Sequence, residues 1–175
     1  MKKSKKLLFI NYYKKKNKNV VKERKIFRKQ SISGSKTNSL VFFLHGYGAD
    51  GADLFNLADN FANVMPETQF ISPDAPFPCQ MSPFGREWFP IDKIPFGAID
   101  AAKSFLQLLE DEAKSNSVKY ENIFLIGFSQ GAMLSLQTML ISKNKLGGIV
   151  AYSGGLGVEN IKSSKNLIIE GKHKF

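Results

Sequence analysis

The sequence predicts an α/β fold, in which a mostly parallel sheet carries helices on both faces. Two observations lead to this class. Short apolar runs of strand length alternate along the chain with segments whose apolar residues recur at helical spacing. One of these runs, residues 39–44, is apolar from Leu40 onward, which is typical of a parallel strand covered on both faces. A chain of 175 residues, 43% of them hydrophobic, is long enough for one domain with a real core.

The first elements lead up to a glycine-rich loop. The pattern predicts an edge strand within residues 26–32, a turn-rich break, and then the buried strand at 39–44. This strand ends in the loop His45-Gly46-Tyr47-Gly48-Ala49-Asp50-Gly51. Apolar residues then share one helical face over residues 54–62, so we expect a helix there.

The middle of the chain contains a long connection. A short strand is predicted at residues 69–71, and a proline-rich, irregular stretch with Trp88 follows it as far as Pro95. Structureless runs of this length are uncommon in compact domains, so its length indicates a functional loop. A helix is predicted from residue 97 to about residue 115.

The last third contains the most specific motif. A predicted strand at 122–126 leads into Gly127-Phe128-Ser129-Gln130-Gly131, and a predicted helix over 132–141 follows. Strand, G-x-S-x-G and helix form the context of a nucleophile elbow, a tight turn that lifts a serine hydroxyl clear of the sheet. A buried strand at 148–152 and a strand candidate at 167–170 complete the pattern.

The net charge of +10 originates in an N-terminal tail. Residues 1–29 contain 13 Lys or Arg and one acid, Glu23, whereas residues 30–175 contain the other 12 basic and 14 acidic residues, giving +12 and −2. We therefore divide the chain into a basic, disordered tail (1–25) and a folded domain (26–175). The tail is either a solvated segment or an arm for nucleic acid or anionic membrane. Lysine outnumbers arginine 22 to 3, and nucleic-acid sites also use arginine, so we favour the solvated tail.

The cysteine content and the lengths of the apolar runs indicate in which cellular compartment the protein is expected. The single Cys79 excludes an internal disulfide and fits a reducing compartment, so we expect a cytoplasmic protein. No apolar run approaches the roughly 20 residues that span a bilayer. The run Leu7–Ile10 in the basic tail is shorter than the roughly 7–15 residues of a signal-peptide core.

Ser129 is the candidate nucleophile. A serine hydroxyl reacts only when a base removes its proton and hydrogen-bond donors stabilise the oxyanion. The backbone N–H groups of Tyr47 and Gln130 are the candidate donors, because they lie in the glycine-rich loop and directly after the nucleophile.

The general base for Ser129 is harder to assign, because the sequence contains only two histidines and neither is well placed for this role. His45 ends a strand just before Gly46, where we expect it to support the loop by hydrogen bonds. His173 lies near the end of the sequence, where a fixed distance to Ser129 is difficult to maintain, so we expect a free tail histidine.

Four motifs occur in a fixed order along the chain: Leu44–Gly51, Ser72–Pro76, Met81–Phe89 and Gly127–Gly131. Together they resemble the phospholipase/carboxylesterase family of α/β-hydrolases, to which the acyl-protein thioesterases belong, and particularly its bacterial members. The resemblance extends over residues 26–171.

The resemblance implies an α/β-hydrolase fold and a serine hydrolase. Its substrates would be small esters, thioesters or lysophospholipids, cleaved through an acyl-serine intermediate without a metal or cofactor. It makes Ser129 the nucleophile and the N–H groups of Tyr47 and Gln130 the oxyanion hole. It also places Trp88 at the acyl-binding region, although a lone tryptophan can equally be a core residue.

The C-terminal end departs from the family pattern. The family continues from the strand matching Leu167–Ile169 into an H-G-x-x-D turn with the catalytic aspartate, and later reaches a G-H pair with the catalytic histidine. Here Lys174 stands at the aspartate position, and neither the last strand and helix nor the histidine has a counterpart. We therefore expect a truncated α/β-hydrolase domain with impaired activity. The alternatives are an inactive fragment, half of a split enzyme completed by a C-terminal chain, or a basic-tailed binding module.

Overall fold

The structure is a computed structural model that describes residues 24–34 and 36–156. The elements of this part are, in chain order, β1 (Ile26–Lys29), β2 (Ser39–Leu44), α1 (Gly51–Phe55), α2 (Leu57–Ala62), β3 (Thr68–Pro73), β4 (Phe77–Pro78), β5 (Arg86–Glu87), α3 (Phe96–Asn116), β6 (Ile123–Phe128), α4 (Gln130–Ile141) and β7 (Gly148–Tyr152). Short 3-10 turns at Ile91–Lys93 and Tyr120–Asn122 precede α3 and β6.

Five of the described strands form one sheet in the order β1-β3-β2-β6-β7. The pairs β3-β2, β2-β6 and β6-β7 are parallel, whereas β1 runs antiparallel to β3 at the edge. The two-residue strands β4 and β5 form a separate antiparallel pair. The predicted mostly parallel sheet is therefore confirmed, and so is the predicted edge strand.

Helices cover both faces of the sheet, as the apolar run of β2 predicts. Leu40, Phe42 and Leu44 belong to a core cluster with α3 and α4, and the ring of Phe42 meets Phe105 of α3 edge-on at 5.6 Å. Val41 and Phe43 point the other way and pack with α1 and α2. Side chains alternate between faces along a strand, so burial on both sides requires this uninterrupted apolar sequence.

Two element boundaries differ from the prediction. The helix predicted at 54–62 is two short helices, α1 and α2, and the side chain of Asp50 caps the first by accepting the Ala52 N–H at 2.8 Å. Strand β3 continues past the predicted 69–71 to Pro73. A proline is tolerated there because the β2 ladder ends at Ile71, so the missing N–H removes no bond to β2.

The predicted strand at residues 148–152 is present, but the prediction that it is buried is wrong. Strand β7 exists, but Val150 is 55% and Tyr152 66% exposed. Within the described sheet β7 has a neighbour on one side only, and α4 packs on one of its faces. The strand candidate at 167–170 lies outside the described residues. None of the described helices is both long and apolar enough to cross a membrane.

Candidate active site

Ser129 occupies a sharp turn between β6 and α4. Its φ of 50° and ψ of −112° place a residue with a Cβ in a sparsely populated backbone region. Such conformations cost on the order of 1–3 kcal/mol and persist where the surrounding structure holds them. Here the Ser129 N–H donates to the Tyr152 carbonyl at 2.8 Å, and the Ser129 carbonyl accepts from Met133 N–H at 3.1 Å. The residue predicted as the nucleophile is therefore presented on a strained, hydrogen-bonded turn.

Glycines at both ends of the turn are required by close packing. A Cβ on Gly127 would overlap the Gly131 carbonyl, and a Cβ on Gly131 would overlap the Leu44 carbonyl at the end of β2. These contacts are to backbone atoms, which cannot move aside as a flexible side chain can. Helix α4 thus starts directly against β2.

The glycine-rich loop lies against the elbow, as the sequence predicts. A Cβ on Gly46 would lie 3.0 Å from Cδ1 of Phe128 and 3.5 Å from Cβ of Ser129. Among the described residues, neither the Tyr47 N–H nor the Gln130 N–H donates a hydrogen bond. Gln130 is the first residue of α4, where backbone N–H groups have no partner within the helix.

His45 is completely buried, and both of its ring nitrogens are hydrogen-bonded. The Ala75 N–H donates to Nε2 at 3.0 Å, so Nε2 is unprotonated and Nδ1 carries the proton that it donates to the Gly46 carbonyl at 2.8 Å. Burial is the largest effect on this side chain and lowers the pKa of His45. His45 is therefore neutral and joins the glycine-rich loop to the segment after β3.

A second connection to the same loop runs through Arg86. Its guanidinium donates to the carbonyls of Ala75 and Pro76, at 2.9 and 3.1 Å. Its backbone carbonyl accepts from Gly48 N–H at 3.0 Å, and its N–H donates to the Ala49 carbonyl at 2.8 Å. The β4-β5 pair is thereby fixed onto the glycine-rich loop on one side and onto the segment after β3 on the other.

The side chain of Gln130 fixes the elbow to the long connection. Its Oε1 accepts from Trp88 N–H at 2.8 Å, and its Nε2 donates to the Phe89 carbonyl at 2.7 Å. The side chain is buried, so breaking this pair of bonds would leave backbone groups of the connection without partners.

Trp88 is a core residue by its burial, with 1% of its surface exposed. Its indole N–H donates to the His45 carbonyl at 2.9 Å, its ring lies 5.2 Å from the His45 ring, and it meets Phe105 edge-on at 6.2 Å. Of the two alternatives left open by the sequence, this placement favours the core. A substrate contact of Trp88 stays a prediction.

The phenol of Tyr47 interacts with the side chains of Cys79 and Glu87. A side-chain hydrogen bond with Cys79 raises the pKa of Tyr47 to about 12, and the negative charge of Glu87 acts in the same direction. Glu87 is fully buried, and neither of its carboxylate oxygens has a hydrogen-bond partner within the described residues. The Tyr47 phenol consequently stays protonated at neutral pH.

An apolar depression borders the first turn of α4. It is shallow and encloses no space for a water molecule, and its lining includes Ile94, Pro95, Met133 and Leu156. Met133 is bonded through its N–H to the Ser129 carbonyl, so the depression adjoins the elbow. The described residues contain no group of three or more His, Cys, Asp or Glu arranged to hold a metal ion.

Comparison with known proteins identifies the family. Residues 30–170 match the model of the Phospholipase/Carboxylesterase family. The chain belongs to this family. The match covers all four motifs that carry the sequence resemblance, and the phospholipase/carboxylesterase assignment agrees with the parallel sheet and the elbow described above.

Named relatives fall in the same phospholipase/carboxylesterase group. The chain is 32% identical to acyl-protein thioesterase 1 of Yarrowia lipolytica over 134 residues, which are 69% of this chain and 58% of that protein. It is 27% identical to a probable carboxylesterase of Oryza sativa subsp. japonica over 141 residues, 72% of this chain and 52% of that protein. The chain thus spans little more than half the length of these relatives.

Solved structures of family members are also similar. The crystal structure of esterase PE8 has 35% sequence identity and a TM-score of 0.72, covering 80% of this chain and 68% of that one. The structure of SOBER1 from Arabidopsis thaliana has 25% identity and a TM-score of 0.60, covering 71% and 66%. The α/β-hydrolase fold is therefore shown for this chain.

Two contributions were missed by sequence reasoning. The sequence predicts no role for Arg86 within the motif Met81–Phe89, and for Gln130 it predicts a role of the backbone N–H but none of the side chain. A signal was present, because Arg86 is the one arginine in the connection and Gln130 is a polar residue at the start of an apolar helix. The aspartate and histidine positions considered at the C-terminus, including His173 and Lys174, lie outside the described residues.

Proposed function

We propose that Ser129 is the nucleophile of an acyl-transfer reaction on carboxylic esters or acyl thioesters. The strained φ of Ser129, held between β6 and α4 within the G-x-S-x-G motif, is the observation that carries the proposal. In the first step Oγ would attack the carbonyl carbon, an acyl-serine would form, and the alcohol or thiol would leave with a proton. In the second step water would release the carboxylic acid and restore the hydroxyl.

The oxyanion hole would consist of the N–H groups of Tyr47 and Gln130. Support comes from their freedom from hydrogen bonds within the described chain and from the contact of Gly46 with the elbow. Fixed donors at the developing negative charge stabilise the transition state because they need no reorganisation during the reaction. His45 and Arg86 would act as positioning residues for the glycine-rich loop, and the side chain of Gln130 would position the elbow against the long connection.

The acyl group would occupy the apolar depression beside α4. The depression is shallow, so a hydrocarbon chain would lie along its apolar lining of Ile94, Pro95, Met133 and Leu156, which adjoins Ser129 through Met133. Trp88 would support this region from within the core, because its surface is almost completely covered. The acyl length that the depression accepts is tested by comparing p-nitrophenyl acetate, butyrate and octanoate, which share one leaving group.

A second candidate is a chain that is inactive alone, either as a fragment or as half of a split enzyme. The observation favouring it is the state of His45, whose two ring nitrogens are both occupied, so it cannot serve as a base for Ser129. Ser129 itself has no hydrogen-bonded base among the described residues. In complete triads, loss of a member costs on the order of 10⁴–10⁶ in rate, so the enzyme proposal predicts a weak activity that depends on Ser129, whereas the second candidate predicts none.

A single assay separates the two candidates. Hydrolysis of p-nitrophenyl acetate, butyrate and octanoate is measured for the chain, for Ser129→Ala, and for Ser104→Ala, a control at an exposed serine of α3. The enzyme proposal predicts that Ser129→Ala lowers the rate at least about tenfold while Ser104→Ala leaves it unchanged. Equal rates for the chain and Ser129→Ala contradict the enzyme proposal and support the inactive chain.

A further inference from the structure

A second serine with a strained backbone lies next to Ser129. Ser153 has a φ of 55°, close to the 50° of Ser129, and each of the two directly follows a strand of the parallel sheet. A positive φ is unfavourable for a residue with a Cβ, whereas glycine adopts it freely. Gly154 and Gly155 come directly afterwards, yet the strained position itself holds serine. A side chain kept where glycine would be more stable indicates that the side chain is used.

The sheet register places Ser153 beside the elbow. The last pair of β6 and β7 is Phe128 with Tyr152, so Ser129 and Ser153 are the next residues on these neighbouring parallel strands. The Ser129 N–H donates to the Tyr152 carbonyl at 2.8 Å. A Cβ on Gly154 would lie only 2.5 Å from the Ser129 carbonyl oxygen, so the chain after β7 passes directly against the elbow. The residues before and after Ser153 therefore both lie against Ser129.

The Ser153 hydroxyl is accessible to a substrate. The residue is exposed, and its hydroxyl has no hydrogen-bond partner within the described residues. A hydroxyl group can donate one hydrogen bond and can also accept. In sheets of parallel strands the carboxyl ends form the edge at which ligands bind, and β6 and β7 end there side by side. Ser153 thus provides a hydrogen-bonding group at the edge where Ser129 is presented.

The strand order determines which part of a substrate would meet Ser153. The order β2-β6-β7 puts the glycine-rich loop, which follows β2, on one side of Ser129 and puts Ser153 on the other. A carbonyl carbon bonded to Ser129 Oγ has three further substituents, which are the oxyanion, the acyl chain and the leaving atom. In the proposed function the oxyanion would point to the N–H groups of Tyr47 and Gln130, and the acyl chain would lie beside Met133. The leaving atom would take the remaining direction, on the side of Ser153.

We propose that the Ser153 hydroxyl donates a hydrogen bond to the leaving oxygen and thereby makes the site selective for oxygen esters over thioesters. The inference rests on the proposed function, because it concerns the same acyl transfer at Ser129. As the bond from the carbonyl carbon to the leaving oxygen breaks, its electron pair passes to that oxygen. The alcohol leaves with the proton of the Ser129 hydroxyl, and Ser153 keeps its own proton throughout.

The selectivity follows from the difference between oxygen and sulfur. A donor at the leaving oxygen stabilises the negative charge that develops on it, and alkoxides are poor leaving groups without such help. Sulfur accepts hydrogen bonds weakly, and a thiol releases its proton at a far lower pH than an alcohol does, so a thiolate needs less stabilisation. A thioester therefore gains little from the same donor.

Two substrates that differ in one atom test the inference. Release of butyrate from ethyl butyrate and from S-ethyl thiobutyrate is measured with the full chain. Ser153→Ala removes the hydroxyl and keeps the Cβ, and it is expected to lower the rate on ethyl butyrate about tenfold while the thioester rate changes less than about twofold. Ser153→Gly is expected to have the same two effects, because it also lacks the hydroxyl.

Matched variants separate the hydroxyl from the backbone. Glycine relieves the strained φ and alanine retains it, so an effect of backbone strain would differ between Ser153→Gly and Ser153→Ala. Ser117 has a φ of 54° and is exposed as well, but it lies at the C-terminal end of α3. Ser117→Ala is therefore expected to leave both rates unchanged. Trp88 is the one tryptophan of the chain and is buried, so its unchanged emission verifies that the variants are folded.

A binding measurement gives a result even where turnover is absent. Ethylboronic acid adds to Ser129 Oγ with release of a proton, and the tetrahedral adduct has one hydroxyl group at the oxyanion position and one at the leaving-atom position. Diethylborinic acid forms the same adduct with an ethyl group in place of the second hydroxyl. Ser153→Ala is expected to weaken binding of the boronic acid about tenfold and binding of the borinic acid less than about twofold. Titration followed by boron NMR measures both affinities.

The results separate this inference from the proposed function. Equal effects of Ser153→Ala on the two members of each pair, with binding or turnover that still depends on Ser129, overturn the inference and leave the proposed function standing. Boronic-acid binding that Ser129→Ala does not weaken overturns both, because no adduct then forms at the elbow. A larger effect of Ser153→Ala than of Ser153→Gly contradicts the hydrogen bond and assigns the effect to backbone strain.

Discussion

At the scale of single residues, the site depends on polar side chains that use all of their hydrogen-bonding groups. His45 bonds through both ring nitrogens, and Gln130 bonds through both atoms of its amide. His45 thereby joins the glycine-rich loop to the segment after β3, and Gln130 joins the elbow to the connection at Trp88 and Phe89. A buried polar group in such an arrangement stabilises the fold only while every bond is made.

His45 gives the fold a dependence on pH. Burial lowers its pKa in the folded state below the ordinary value of 6.5, so the unfolded chain binds more protons. The stability contributed by neutral His45 is therefore fully present above about pH 6.5 and is lost as the pH falls below that value. We expect the urea midpoint, followed by Trp88 emission, to decrease from pH 7.5 to pH 5.

The variant His45→Gln separates this effect from other titrations. It is expected to be less stable at pH 7.5 and to show a flatter dependence of the midpoint on pH, because the group that titrates is gone. His173 is present in both proteins and so cancels in the comparison. Parallel curves for the two proteins would show that His45 does not titrate in this range.

At the scale of elements, the elbow is a packing relation between α4 and the two central strands. Helix α4 begins at Gln130, directly after Ser129, and its second residue, Gly131, lies against the end of β2. The glycine-rich loop continues from that same end of β2, so the spacing between β2 and α4 also sets the spacing between Ser129 and the loop.

Gly131→Ala is expected to destabilise the fold by about 3 kcal/mol. The added Cβ would overlap the Leu44 carbonyl, so α4 would have to move away from β2, and overpacking of this kind typically costs 1–3 kcal/mol. Urea unfolding measures the loss. Gly155→Ala is the control, because its Cβ would meet nothing within 4 Å, and a change of about 0.5 kcal/mol or less is expected. Similar losses in both variants would refute the packing explanation.

At the scale of the whole molecule, charge and apolar surface are distributed unevenly. Residues 1–29 carry a net charge of +12, whereas residues 30–175 carry a net charge of −2. At the far side of the described sheet, β7 presents Val150 and Tyr152, and Tyr152 stacks on Phe128 at 6.0 Å. An exposed, apolar edge strand is a surface on which other chains can pair.

Val150→Lys is expected to reduce self-association. A lysine on an edge strand keeps the β6-β7 ladder intact while opposing the approach of a second strand. Light scattering at increasing concentration should show a smaller mean mass for this variant than for the original chain. Val64→Lys is the control, since Val64 is more exposed than Val150 but lies outside the strands. The explanation fails if both lysine variants reduce the mass equally.

The sequence by itself determined the parallel sheet, the elbow and the glycine-rich loop. These features follow from local patterns: an uninterrupted apolar strand, a G-x-S-x-G turn between strand and helix, and glycines at a strand end. Each pattern lies within about ten residues. The interactions that favour it are local, so the sequence alone is enough to predict it.

Only the tertiary structure decided what surrounds Ser129. The bonds from Trp88 to His45 and to Gln130 join residues 43 and 42 positions apart, and nothing in the local pattern selects such partners. The same holds for the burial of Trp88 and for the exposure of Val150 and Tyr152 in β7. The burial of a side chain and its hydrogen-bond partners depend on which distant segments the fold brings together. A sequence pattern describes one segment at a time and does not determine these contacts.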